Sequence, residues 1–149
     1  MLDTCGCGRT PESGAGLNEE AFRYVIAVER RRIERTGDPF LLVAIDLWSR
    51  SGSRLRFAPG LAATVFARME RRLRATDFFG WLRHPDTIGV VMTECGPRLS
   101  RGVGDVIRQT VESLIEGTAP AGAAFRVRLR VYRSHAGRAA AEAPLERVA

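Results

Sequence analysis

Lysine is missing from this sequence altogether, and all 23 basic residues are arginine. Cysteine is scarce as well: Cys5 and Cys7 sit in a glycine-rich opening stretch and Cys95 stands far from both. Thiols so placed make neither a disulfide framework nor a four-ligand zinc pattern, with only His84 and His135 to complete one. No stretch comes near the ~18 consecutive apolar residues that a membrane-spanning helix requires. Residues 1–16 also lack a basic segment followed by an apolar run, so no secretory signal is visible and the expected location is the cytoplasm.

What is present is an ordinary globular composition. Of 149 residues, 45% are hydrophobic and 27% charged, which argues against a disordered chain and fits one domain with a core of its own. The formal charge of +6 rests on guanidinium groups. These favour planar, bidentate contact with phosphates and guanine edges, which points to an anionic partner. For any single arginine the plain alternative is a solvated basic surface.

Residues 1–16 read as a flexible leader. From Asn18, a helix N-cap, the residues Phe22, Val25, Ile26, Glu29 and Ile33 fall on one helical stripe, which Thr36-Gly37-Asp38-Pro39 ends. The run Phe40 to Ile45, closing on Asp46, suits a strand buried on both faces. After a polar connection from Trp48 to Gly60, Leu61, Val65, Met69 and Leu73 mark a second helix over 61–75. Phe78–Leu82 and Ile88–Met92 read as two strands, and Arg83-His84-Pro85-Asp86-Thr87 as their hairpin turn. A third helix is expected over 98–115, ended by Gly117. Phe125, Val127, Leu129 and Val131 then alternate with Arg126, Arg128, Arg130 and Tyr132, the pattern of a strand with one face in the core and one outside. Residues 134–149 read as a tail or short frayed helix.

This order predicts an α/β (α+β) domain over residues 17–133. It is a ferredoxin-like split βαβ fold with an antiparallel sheet, helices on one sheet face, and an extra N-terminal helix. Over roughly residues 17–132 the chain resembles the GGDEF (diguanylate cyclase) family, whose fold is the nucleotidyl cyclase palm. The resemblance rests on Leu17-Asn18 through Glu29-Arg30 to Thr36-Gly37-Asp38-Pro39-Phe40, on Leu41 to Asp46, and on Arg74-Ala75-Thr76-Asp77 followed by the hairpin and Ile88 to Glu94.

The resemblance implies a GTP site in which carboxylates hold Mg²⁺ between the first strand and the hairpin. Asp46 matches the first-strand aspartate, and Asp86 is the candidate hairpin acid, with Thr87 in that place if the turn is one residue longer. The two aspartates are candidates for a vestigial magnesium site, with no cofactor required. The plain alternatives are a strand-end residue serving the next turn for Asp46 and ordinary hairpin chemistry for Asp86. The departures are large. His84 and Pro85 stand where the family has two turn glycines, Trp48 replaces a second aspartate, and Arg54 and Ala63 fall where guanine-reading residues are expected. Phosphate-binding lysines are absent. The implied function is therefore a catalytically inactive regulatory domain and not an enzyme.

Many family members bind cyclic di-GMP at an Arg-x-x-Asp site upstream of the turn, and Arg74 and Asp77 occupy that place. A guanidinium can fork onto N7 and O6 of guanine, a carboxylate can accept from N1–H and N2–H, and Arg71 and Arg72 can meet the phosphates. Two rivals come from other classes. One is an interaction domain, paired with itself or another protein through Trp48, Phe57 and Trp81. The other is a nucleic-acid module using Arg126, Arg128, Arg130 and Tyr132 on an open sheet face.

Overall fold

Asn18 begins the first helix, α1 (Glu19–Thr36), by accepting the Ala21 N–H on its side-chain oxygen at 2.8 Å. Glu19 and Glu20 in the first turn and Arg35 in the last complement the helix dipole. Gly37, with φ of 77°, closes the helix by donating its N–H to the Ile33 carbonyl. The computed structural model describes residues 16–93, 101–134 and 145–146. Cys5, Cys7, Cys95, Glu94, His135 and most of the stretches read as leader and tail lie outside the described residues.

Strand β1 (Phe40–Ser49) is buried from Phe40 to Leu47. It runs three residues past Asp46, because its neighbours keep pairing there, so the aspartate sits inside the strand and does not close it. The polar connection folds back as β2 (Arg54–Leu55), paired antiparallel with Leu47 and Trp48. Helix α2 (Pro59–Arg72) starts with proline in its first turn, where no N–H is needed. Strands β3 (Phe78–Arg83) and β4 (Thr87–Met92) form the expected hairpin. Helix α3 (Arg101–Ile115), β5 (Ala123–Tyr132) and a two-residue strand β6 (Leu145–Glu146) complete the described order, β6 falling within the stretch read as tail.

The sheet order is β3-β4-β1-β5-β6, with every ladder antiparallel. β5 occupies one edge of β1 along its whole length, and β4 leaves the other edge at Asp46; β2 takes that edge beyond the hairpin. Period-two alternation then sorts the side chains. Leu41, Val43, Ile45 and Leu47 face α2 and α3 with Val65, Phe66, Met69, Val111 and Ile115. Phe40 and Leu42 face the other way, under Phe22 and Ile33 of α1. The split βαβ unit thus has its helices on one face as expected, and the extra helix covers part of the other.

Two glycines let these layers approach. A Cβ at Gly89 would sit 2.6 Å from the Phe22 ring, so the strand has to be bare where α1 crosses it. A Cβ at Gly80 would lie 2.7 Å from the Cβ of Leu17, which makes a parallel bridge on the outer side of β3. There the Leu17 N–H donates to the Phe79 carbonyl at 3.0 Å, and its own carbonyl accepts from Trp81 N–H at 2.9 Å.

Three residues that the two rival readings place at the surface are interior. Phe57 is 3% and Trp81 2% exposed, and their rings meet edge to face at 5.9 Å inside the α2/α3 core. Tyr132 is 7% exposed and stacks on Phe40 at 4.6 Å, because α1 closes the face that alternation alone leaves open.

Candidate functional site

Asp46 lies on the α1 side of β1, directly opposite Thr87 on β4 and Arg126 on β5. Its side chain is 1% exposed. A charge so buried needs partners, since desolvation is costly. Thr87 Oγ1 donates to Oδ1 at 2.6 Å, while Oδ2 faces Arg128 Nη2 at 2.9 Å and Arg54 Nη2 at 3.6 Å. Neither guanidinium is directed well enough at Oδ2 to form a hydrogen bond, so the contact is an ion pair. Arg126 does not join it: its guanidinium lies 3.8 Å above the Trp48 ring. Arg130 lies 5.0 Å from the Tyr132 ring centre. Each arginine of the β5 face thus has a partner within the fold while Arg130 stays exposed and Arg128 part-exposed, and the face's aromatic, Tyr132, is buried.

Asp86 is in the β3–β4 turn, where its N–H donates to the Arg83 carbonyl at 2.8 Å. The turn is fastened from two sides. His84 N–H donates to Glu19 Oε1 at 2.7 Å, and the Pro85 carbonyl accepts from Phe57 N–H at 2.9 Å. Asp46 and Asp86, the two expected magnesium ligands, are not joined by a third acid. Among the described residues no group of three or more His, Cys, Asp or Glu side chains comes together to hold a metal. Magnesium requires oxygen donors in a tight octahedron. The groups around Asp46 are one hydroxyl and two cations, so this donor set does not fit the ion.

Over the same face opens a concave pocket of about 340 Å³, lined by Arg23, Arg54, Leu82, Arg83, Thr87 and Arg128. Of these, Arg54 and Arg128 stand out in the sequence at a guanine-reading position and on the β5 face, Arg83 and Thr87 only as residues of the hairpin turn, and Arg23 carries no local signal. The hidden signal was a bulge. Trp81 pairs with Ile88 and Arg83 with Thr87, a register shift that puts Arg83 on the Asp46 face rather than beneath Trp81.

Arg74 and Asp77, the candidate cyclic di-GMP pair, form a bracket between α2 and β3. Asp77 is 3% exposed, and its Oδ2 accepts from the Arg74 backbone N–H at 3.1 Å and from its Nε at 3.4 Å. Arg74, at 56% exposed, also donates through Nη2 to the Thr93 carbonyl at 2.8 Å. The carboxylate therefore serves the arginine in this arrangement and does not face outward to read a base. Arg71 and Arg72, in the last turn of α2, are exposed beside it.

No protein-family model and no curated protein matches this chain. Solved structures do. A sensory box/GGDEF family protein from Caulobacter crescentus superposes with a TM-score of 0.62 at 14% identity, over 84% of this chain and 83% of that one. The GGDEF domain of DgcB from the same organism, solved with cyclic di-GMP, gives 0.62 at 10% identity over 89% and 79%. Diguanylate cyclase SiaD from Pseudomonas aeruginosa, solved with its activator SiaC, gives 0.64 at 15% identity over 89% of this chain and 53% of that one. The fold is that of GGDEF diguanylate cyclase domains.

Proposed function

We propose that this GGDEF-like domain is catalytically silent and works by binding, as a regulatory element in cyclic dinucleotide signalling. The observation that carries the reading is Asp46. The acid that resemblance assigns to magnesium is buried, hydrogen-bonded to Thr87 and faced by two guanidinium groups. A divalent ion at ~4 Å from even one guanidinium meets a repulsion of roughly 8 kcal/mol at an effective dielectric of about 20. The turn adds to this, because Pro85 offers no N–H and its carbonyl is taken by Phe57.

Cyclic di-GMP is the ligand this reading favours, held by Arg71 and Arg74 on the exposed side of the turn after α2. A fold neighbour solved with cyclic di-GMP supports it. Asp77 then acts from beneath, orienting Arg74 rather than touching guanine. If no ligand binds there, exposed apolar residues such as Tyr24 and Val28 of α1 and Val106 of α3 offer contacts to a protein partner.

The test is direct. The purified chain with GTP and Mg²⁺ is expected to yield no cyclic di-GMP beside an active cyclase run as control; product above background overturns the reading. Calorimetry with cyclic di-GMP is expected to show binding that Arg74→Ala weakens at least about tenfold.

A further inference from the structure

Four elements far apart in the sequence, α1, β2, β3 and β5, send Arg23, Arg54, Arg83 and Arg128 to one concavity of about 340 Å³. Acids answer only part of that charge. Asp46, hydrogen-bonded to the lining residue Thr87, faces Arg54 and Arg128, and Glu19 lies 3.2 Å from Arg23. Four cations against two carboxylates leave a formal +2. Arg83 makes no ion pair among the described residues, and the buried Nε of Arg128 has no hydrogen-bond partner among them. The cluster thus holds more donors than acceptors, which is the reverse of a cation site.

We infer that this pocket binds a terminal phosphate group directly through its arginines, with no divalent cation between ligand and protein. A phosphomonoester brings about two negative charges and three acceptor oxygens, matching the surplus. A phosphodiester brings one charge per group and leaves the pocket half neutralised. Guanidinium forks suit phosphate geometry, and four of them around one group do the neutralising that a metal otherwise does. Leu82 is the one apolar side chain of the lining, and no aromatic ring is there to stack on a base. The site therefore takes the phosphate end of its ligand. The inference deepens the proposal above, resting on its premise that Asp46 holds no metal.

Calorimetry with inorganic pyrophosphate tests it, run once in EDTA and once in Mg²⁺, with dimethyl phosphate as the singly charged probe. Pyrophosphate is expected to bind in EDTA, more weakly as salt rises, and dimethyl phosphate at least about tenfold more weakly. Arg83→Ala is expected to cost about tenfold in affinity without moving the unfolding midpoint. Asp46→Asn, if it folds, is expected to tighten binding by removing the competing carboxylate, whereas a metal-bridged site would lose binding. Binding seen only with Mg²⁺, or unchanged in Arg83→Ala, overturns the inference. If pyrophosphate fails to bind in EDTA while GTP stays unconverted, this inference falls and the silent-domain reading stands; a magnesium requirement together with GTP turnover removes both.

Discussion

Arg128 reaches Asp46 diagonally across the β1–β5 ladder. In register it stands opposite Ala44, yet its Nη2 is 2.9 Å from Asp46 Oδ2. The diagonal is open because Ala44 offers a methyl group and nothing larger, and because Arg126, the direct partner of Asp46, has turned onto Trp48. Removing Arg128 exposes what the pair does. Arg128→Ala leaves a carboxylate 1% exposed with Thr87 and a more distant Arg54. The expected loss is about 2–3 kcal/mol, below the ~3–5 of a fully buried pair because Arg54 remains. Urea unfolding reads it as a lower midpoint at constant slope. In an Asp46→Asn background the same truncation is expected to cost less than half as much; an undiminished cost would mean that Arg128 acts through packing alone.

The crossing of α1 over β4 is governed by Gly89 and Phe22. Gly89→Ala forces a methyl against Cε1 and Cζ of the Phe22 ring and is expected to cost about 1–3 kcal/mol. Phe22→Ala is expected to cost about 3–5 kcal/mol, since the side chain is fully buried. Because the methyl added at one site fills space vacated at the other, the double variant is expected to be more stable than the sum of the two losses. Additive losses in a double-mutant cycle would show that the two do not meet.

Asn18→Ala is expected to lower stability by about 1 kcal/mol, through loss of the Ala21 N–H acceptor. Asn18→Asp should keep most of that stability. Equal losses in the two variants, followed by thermal unfolding, would count against the capping account.

At the turn after α2, Asp77→Ala removes the acceptor of the Arg74 backbone N–H and of its side chain. The expected cost is about 1.5–3 kcal/mol, typical of hydrogen bonds to a charged group. Arg74→Ala also strips a donor from the Thr93 carbonyl. Both variants should speed amide exchange at the start of β3 relative to the centre of the sheet. Protection unchanged at Asp77 and Phe78 would remove the structural role assigned to the bracket.

The elements were legible wherever local chemistry decides them. Asn18 and Gly37 mark the ends of α1, the apolar run from Phe40 gives a buried strand, and alternation after Phe125 gives β5. The surroundings of Asp46 were not legible, because Thr87 and Arg128 come to it from about 40 and 80 residues away, through register that no local pattern encodes. Arg83, a turn residue by composition, is the last residue of β3, and a single bulge turns it to the Asp46 face. Phe57 and Trp81 misled in the opposite sense. An aromatic in a polar stretch and one beside a turn suggest surface, but the T-shaped contact of the two rings lies inside the α2/α3 core.

The bridge between Leu17 and Gly80 bears on self-association. A sheet grows when a newcomer finds free backbone donors and acceptors along its rim. Here the chain has placed its own approach to α1 against residues 79–81, so the Phe79 carbonyl and Trp81 N–H are already engaged. A second molecule arriving on that flank must first peel Leu17 away, and with it the foothold from which α1 begins.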